Sequence, residues 1–223
     1  MPSLIRRIRA TWNTTDTAVI GGNTLAFLLL IYNTQRESTM LCYVALVPPL
    51  LLQGYVQRRD ATLRRALWFG MVVGMTWPLG EGIVVRVLGW WGRYLGYGVY
   101  LWDTALYCAL IGWLACTYLA YLYERIQALG YRWQTAAFHT ALSAIVLGAI
   151  GENLFVWSRM WEYESSDWDW FDVPAFVPIA YGLSYAFLPL VKRFPIMTAG
   201  LVFNAITAAL ACSLGLASGY FPR

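Results

Sequence analysis

The sequence has little charge, and the charge it has is not gathered in one place. Only 13% of its 223 residues are charged and 59% are hydrophobic, whereas a soluble domain carries about a quarter charged residues. This deficit indicates that lipid is the main solvent of the chain. The net charge of +4 is spread over short basic flanks, which is typical of membrane topology signals and argues against nucleic-acid binding.

Histidine and paired cysteine are also scarce, which argues against the common metal and cofactor sites. The only histidine is His139, and one histidine cannot supply the usual ligands of haem or of a di-iron centre. The cysteines lie in apolar runs without a CxxC spacing, a pattern typical of inert buried thiols: Cys42, Cys108, Cys116 and Cys212. No glycine loop suited to phosphate occurs. The sequence therefore predicts neither a metal nor a cofactor.

Long apolar runs dominate what remains. Seven of them approach the ~20 residues that a helix needs to cross a bilayer core. They cover approximately residues 17–32, 39–56, 65–88, 101–122, 135–157, 173–191 and 195–217. We therefore expect one transmembrane domain over residues 1–223, an all-α integral-membrane bundle of seven transmembrane helices.

The basic residues predict how this bundle is oriented. Eleven of the 16 Lys and Arg residues fall on the side of the amino terminus, and five fall on the other side. Because Lys and Arg are enriched on the inner side of membranes, the amino terminus is predicted to be cytoplasmic. The expected location is a prokaryotic cytoplasmic membrane, which the chain crosses several times.

Two stretches of the chain resemble one another. Each has a Gly-Glu pair inside an apolar run, then a loop crowded with Trp and Tyr, then an aromatic-Asp pair that opens the next run. The pairs are Gly80-Glu81 with Trp102-Asp103, and Gly151-Glu152 with Phe171-Asp172. We interpret them as an internal parallel repeat of helices three–four and five–six, which gathers four carboxylates in the outer half of the membrane. Ionisable groups inside a membrane are functional hypotheses by default, so these four acids are the candidate catalytic residues.

The two glutamates also have a structural interpretation. Glu81 has no basic residue three or four positions away, but an ion pair with Arg86 or Arg93 would limit it to a packing role. Arg159 follows Glu152 by seven residues, two turns along the same helix face. The sequence leaves both interpretations open.

The two aspartates have a different structural alternative. Asp103 and Asp172 each stand at the start of an apolar run, where Asp is a favoured N-cap that suits the helix dipole. Pro174 would then lie in the first helical turn. A cap at the mouth of a cavity can also hold a substrate, so the two roles are compatible.

Aromatic residues are unusually frequent near the acids. The chain has 12 Trp and 15 Tyr, and both residue types favour membrane interfaces and large apolar sites. An interfacial belt should occur at both surfaces, but here the density is one-sided and matches the side of the acids. The candidate substrate-binding residues are Trp77, Trp90, Tyr94, Trp102, Asn153, Trp157, Trp161 and Tyr181.

The order of these motifs carries a resemblance. The arrangement Gly80-Glu81, Gly92-Arg93-Tyr94, Leu101-Trp102-Asp103 and Gly112-Trp113, followed by Asp172-Val173-Pro174 and Tyr181-Gly182, resembles small integral-membrane carotenoid enzymes, the hydratases and the two-part lycopene cyclases. It covers roughly residues 71–190. The seven-helix format also resembles membrane-bound meroterpenoid cyclases. The resemblance implies that an acid on a transmembrane helix protonates an alkene and that ring closure or water then quenches the cation.

We therefore expect an isoprenoid-modifying enzyme, a terpene cyclase or hydratase. Glu81 or Glu152 would protonate an alkene or epoxide, Trp and Tyr would stabilise the cation by about 0.5–2 kcal/mol per desolvated contact, and Asp103 or Asp172 would orient the first acid or take the final proton. The expected partners are membrane lipid and a hydrophobic isoprenoid, with no nucleic acid. Two other classes stay open, namely a non-catalytic membrane partner that binds helices or lipid, and a small proton-coupled transporter.

Overall fold

The protein is built almost entirely from helices. The computed structural model describes residues 11–88, 93–95, 97–101, 104–163 and 168–220, with the side chains of residues 83–88 outside that description. The helices are α1 (Thr14–Asn33), α2 (Thr39–Val56), α3 (Ala61–Leu88), α4 (Leu106–Ala128), α5 (Trp133–Trp157), α6 (Phe176–Ala186), α7 (Leu188–Val191) and α8 (Ile196–Ala217).

Five helices in the described chain are long and apolar enough to cross a membrane, and they are Thr14–Asn33, Thr39–Arg59, Leu106–Ala128, Trp133–Trp157 and Ile196–Ala217. Helix α3 has 28 residues, and the side chains of its last six lie outside the described part of the chain. Helix α6 is apolar and has only 11 residues. The set indicates a helical, multi-pass membrane protein.

Helix α1 begins with a capping box and contains a local irregularity. The Asn13 side chain accepts from the Asp16 backbone N–H at 2.9 Å, and the Asp16 carboxylate accepts from the Asn13 backbone N–H at 3.0 Å. Asp16 also forms a 2.7 Å ion pair with Arg125 at the end of α4. A π turn, Thr17–Gly21, then precedes the regular helix Gly22–Asn33. The start of α1 is therefore fixed to α4, and a π turn separates it from the rest of α1.

Small residues allow the helices to pack closely in two pairs. A Cβ atom added to Gly74 of α3 would lie 2.3 Å from the Ala109 backbone oxygen of α4, and one added to Gly182 of α6 would lie 2.9 Å from the Ala141 backbone oxygen of α5. Close approach through small residues is typical of helix association in lipid. Among the described residues, α3–α4 and α5–α6 are the two most extensively packed helix pairs.

Short strands lie in the connections between these paired helices. They are β1 (Arg93–Tyr94), β2 (Tyr100–Leu101), β3 (Thr104–Ala105), β4 (Trp161–Glu162), β5 (Asp169–Trp170) and β6 (Val173–Pro174). β2 pairs with β3 and β5 with β6, in each case as a hairpin, whereas β1 pairs with β4. The β1–β4 pair, which we call the aromatic ribbon, therefore joins the loop after α3 to the loop after α5.

The hairpins correct two predicted helix starts. The fourth apolar run was predicted to begin at residue 101, but the β2–β3 hairpin occupies its start and α4 begins at Leu106. Asp172 is not the cap of the following helix, because it lies in the turn of the β5–β6 hairpin, while α6 begins at Phe176 and its N-cap is Ala175. Pro174 lies in strand β6, where it pairs with Asp169, and so it does not lie in the first turn of a helix.

Candidate functional site

A cavity of about 410 Å³ lies inside the bundle, within the range of about 300–1,000 Å³ that small-molecule sites have. Its wall comes from α1, α2, α3, α4, α5, α6 and α8 and from both strands of the aromatic ribbon. Glu81 and Glu152 line the same end of it, and they are close enough for their carboxylates to interact electrostatically. We call this region the acid end.

Glu152 is held by two tyrosines. Its Oε2 accepts a 2.7 Å hydrogen bond from the Tyr163 hydroxyl, and its Oε1 accepts a 2.8 Å hydrogen bond from the Tyr181 hydroxyl. Gly148, one turn earlier on α5, leaves room for the Tyr181 ring, because a Cβ there would lie 2.9 Å from that ring. Both carboxylate oxygens are thus oriented by donors from different parts of the chain.

Glu81 differs from Glu152 in its partners. The side chains of Tyr94, Thr104 and Trp77 face it, yet among the described residues its Oε2 is buried without a hydrogen-bond partner. The Thr104 hydroxyl is buried and unpartnered in the same described set. An unsatisfied buried polar group costs about 1–3 kcal/mol, so the acid end retains unused capacity for a polar atom of a ligand or for water.

The ion pairs considered as structural alternatives are made with other residues. Arg159 pairs with Glu37 at 3.1 Å between their Nε and Oε1 atoms, on the exposed surface. Arg93 pairs with Glu162 across the aromatic ribbon. The third basic candidate, Arg86, has its side chain outside the described residues. Neither described arginine therefore neutralises the acids in the cavity.

An aromatic wall adjoins the two acids. Trp161 stacks on Phe155 with ring centroids 4.6 Å apart and on Tyr107 with centroids 6.2 Å apart. Tyr94 meets Trp161 edge-on at 5.8 Å. The Tyr107 hydroxyl donates to the Met160 backbone oxygen at 2.8 Å, which fixes the ring beneath the ribbon. These contacts make Trp161 a rigid wall of the acid end.

The tyrosines of the loops remain hydrogen-bond donors at neutral pH. Burial raises the pKa of Tyr94 well above its ordinary value of 10. Burial also raises the pKa of Tyr163 well above that value, and the neighbouring Glu152 carboxylate raises it further. Both phenols therefore keep their protons, and Tyr163 donates its proton to the hydrogen bond with Glu152.

The predicted site residues divide into three groups. Those that line the cavity are Glu81, Glu152, Trp77, Tyr94, Trp161 and Tyr181. Those that the structure places outside the cavity lining are Asn153, Trp157 and Asp172. Those that lie outside the described residues are Trp90, Trp102 and Asp103.

The three predicted residues outside the cavity lining form hydrogen bonds that hold the β5–β6 hairpin. Asn153 is buried, donates to the Ala149 and Trp170 backbone oxygens, and accepts from the Asp172 backbone N–H at 3.0 Å. The Trp157 indole N–H donates to the Asp172 carboxylate at 2.6 Å, and the Trp157 side chain is exposed. Their bonds fix the β5–β6 hairpin against the end of α5.

Two residues of the site were not singled out from the sequence. Tyr163 lies in the predicted aromatic loop, but nothing in its spacing shows that it folds back onto Glu152. Cys108 lines the acid end and is buried, although the cysteine pattern indicated only an inert thiol. Its position at the start of α4, shortly after the first aromatic loop, was the available signal.

No protein-family model matches the chain, and neither does any curated protein or any solved structure. Among the described residues, no group of three or more His, Cys, Asp and Glu side chains is placed to hold a metal ion.

Proposed function

We propose that the protein is an integral-membrane enzyme that modifies an isoprenoid by acid-base carbocation chemistry, as a cyclase or a hydratase. One observation carries the proposal. Glu81, whose Oε2 is buried and has no hydrogen-bond partner among the described residues, shares an apolar cavity with a second oriented carboxylate and a wall of aromatic rings. A carboxylic acid in a dry apolar site is suited to act as a general acid.

The two acids have different roles in this proposal. Glu81 gives its proton to a carbon of an alkene, or to the oxygen of an epoxide, because its Oε2 is not engaged by another group of the described chain. Trp161 and Tyr94 face the resulting cation, whose attraction to aromatic faces is worth about 0.5–2 kcal/mol per contact. Glu152, fixed by Tyr163 and Tyr181, then accepts the proton lost on ring closure or the proton of an attacking water.

We also propose the complete membrane topology. Helix α3 and the α6–α7 segment complete seven crossings with the five apolar helices, the amino terminus is cytoplasmic, and the membrane is a prokaryotic cytoplasmic membrane. At a rise of ~1.5 Å per residue, the 28 residues of α3 extend about 42 Å, which exceeds a bilayer core. The pairing of α3 with α4 and of α5 with α6 supports a parallel repeat, with one cavity glutamate in each unit.

The test is lipid analysis of cells that express the chain and are supplied with isoprenoid precursors. Cyclisation gives a product of unchanged mass, and hydration adds the mass of one water. The product is expected to disappear with Glu81→Gln and with Glu152→Gln, while Glu37→Gln, a change at an exposed ion pair, leaves it unchanged. A folded wild-type protein that alters none of the isoprenoids would contradict the enzyme and favour a non-catalytic lipid-binding protein.

A further inference from the structure

The cavity is elongated and has two chemically different ends. Along α4 its lining extends from Cys108 to Leu119, eleven residues, which is about 16 Å at a helix rise of ~1.5 Å per residue. The end opposite the acids is lined by Val73, Leu119, Ala144 and Phe203, which belong to one buried hydrophobic cluster. We call this the far end. Tyr185, whose ring lies 4.9 Å from that of Phe203 between centroids, adds a neutral hydroxyl there but no charge. The shape fits a single apolar chain with one reactive terminus better than a compact ligand.

The polar residues of the α1 wall do not add a second polar site. Asn23 donates to the Val19 backbone oxygen at 2.7 Å, and Thr24 donates to the Ile20 backbone oxygen at 2.8 Å. Both side chains thus bond back onto their own helix, and the rest of this wall is apolar. A chain that lies against α1 meets hydrocarbon along most of its length.

The cavity wall reaches the outer surface of the bundle between α1 and α5. Leu28 of α1 and Leu147 of α5 both line the cavity, and they are 58% and 37% exposed. Helix α1 packs mainly on α2 and only lightly on α5. Since this surface is apolar and faces lipid in a membrane protein, the separation between cavity and bilayer is thin here.

The sequence of α1 makes this wall suited to movement. The π turn Thr17–Gly21 ends at two successive glycines, Gly21 and Gly22, just before the regular part of α1. π turns are rare and frequent at functional sites, and helices bend at such turns and at glycine. The start of α1 is fixed by the Asp16–Arg125 ion pair, so movement at the π turn would displace the segment that carries Leu28.

We propose that a single-chain apolar lipid enters the cavity sideways from the membrane between α1 and α5, lies along α4 with its tail at the far end, and presents its terminal functional group to Glu81. This inference rests on the proposed function for its reactive terminus and extends it to the shape, orientation and route of the substrate. Entry from the bilayer also removes the need for an apolar molecule to pass through water.

The test uses the full chain in lipid nanodiscs with a farnesol analogue that carries a photoreactive diazirine at the end of its tail. After irradiation, mass spectrometry of the peptides identifies the labelled residues. Label is expected on α4 near Leu119 and on α8 near Phe203. Label on the aromatic ribbon, or only on lipid-facing surfaces in proportion to their exposure, would overturn the proposed orientation.

The route is tested by two matched tryptophan variants on α1. Leu28→Trp narrows the opening, while Leu25→Trp is equally large, lies one turn away on an exposed position and does not line the cavity. Leu28→Trp should slow far-end labelling by about tenfold or more, as binding through an obstructed path is slow, and Leu25→Trp should match the wild type. Equal rates in the two variants would place the entrance elsewhere and refute the route.

The outcomes separate this inference from the proposed function. Glu81→Gln is expected to keep far-end labelling while it abolishes product, because the apolar chain contributes most of the contacts. If the wild-type protein is labelled as described but forms no product, the proposed binding mode holds and the proposed enzyme activity is refuted. If product forms but the far end is not labelled, the proposed enzyme activity holds and the proposed binding mode is refuted.

Discussion

Removal of one hydroxyl from the pair that holds Glu152 should destabilise the protein by a measurable amount. Tyr163→Phe deletes the donor that lies 2.7 Å from Oε2 of Glu152 and leaves the Tyr181 hydrogen bond intact. Hydrogen bonds to charged groups contribute about 1.5–3 kcal/mol. On the scale of soluble domains of 150–250 residues, where 1 kcal/mol shifts Tm by about 2–4 °C, the expected loss is about 3–12 °C.

The assay is thermal unfolding of the purified protein in detergent, followed by the double mutant Tyr163→Phe/Glu152→Gln. Since the two side chains act on one another, their effects should be non-additive, with a coupling of about 0.5–3 kcal/mol. Tyr97→Phe is the matched control, because Tyr97 is 91% exposed. Product formation by Tyr163→Phe should fall as well, since the second carboxylate loses its orientation.

Two results would refute this reasoning. If Tyr163→Phe unfolds at the same temperature as Tyr97→Phe, the hydrogen bond to Glu152 contributes nothing. If the double mutant shows the simple sum of the single effects, then Tyr163 stabilises the fold through other contacts and does not orient the acid.

Three further predictions follow from packing, exposure and pKa. Gly74→Ala should destabilise by about 1–3 kcal/mol, because the new Cβ would lie 2.3 Å from a backbone oxygen of α4, whereas Gly54→Ala, with nothing within 4 Å, should be tolerated in the same unfolding assay. Arg159→Gln should change stability by at most about 1 kcal/mol, since its pair with Glu37 is exposed; a large loss would favour a buried role. Burial raises the pKa of Tyr163, so the folded chain keeps a proton that the unfolded chain releases near pH ~10. Denaturant midpoints should therefore fall as pH rises above that value, and less so in Tyr163→Phe.

The positions of the helices could be read from the sequence because apolar runs of membrane length leave few alternatives. The predicted second run matches α2, and the last run differs from α8 by one residue at its start. Glu81 and Glu152 line one cavity, and the sequence predicted that they lie close together from the similar places of their Gly-Glu pairs in two apolar runs. The length of an apolar run and the period of its helix are properties that the local sequence determines.

The loops could not be predicted in the same way. Asp172 has the sequence of a helix cap, but Phe171 adopts a left-handed backbone conformation with φ of 59°, and the chain turns back into the β5–β6 hairpin. Asn153 stabilises that turn from α5, a contact between residues nineteen positions apart. The aromatic ribbon likewise depends on a pairing of Tyr94 with Trp161, which no local pattern encodes.

The partners of the two glutamates illustrate the same limit. The nearest arginines in sequence were the natural candidates for ion pairs, yet Arg159 reaches Glu37 on the surface. Tyr163 and Tyr181 approach Glu152 from a loop and from α6. Which neighbour satisfies a buried carboxylate is decided by the assembled bundle, because several polar side chains lie within reach along the chain.

The central claim is that Glu81 donates a proton to an isoprenoid in the cavity. Its most direct test is product formation by Glu81→Gln in a preparation whose unfolding temperature matches that of the wild type. Gln keeps the size and polarity of Glu but cannot donate an acidic proton. The account predicts complete loss of product with unchanged far-end labelling by the photoreactive chain, and product formation at the wild-type rate would contradict it.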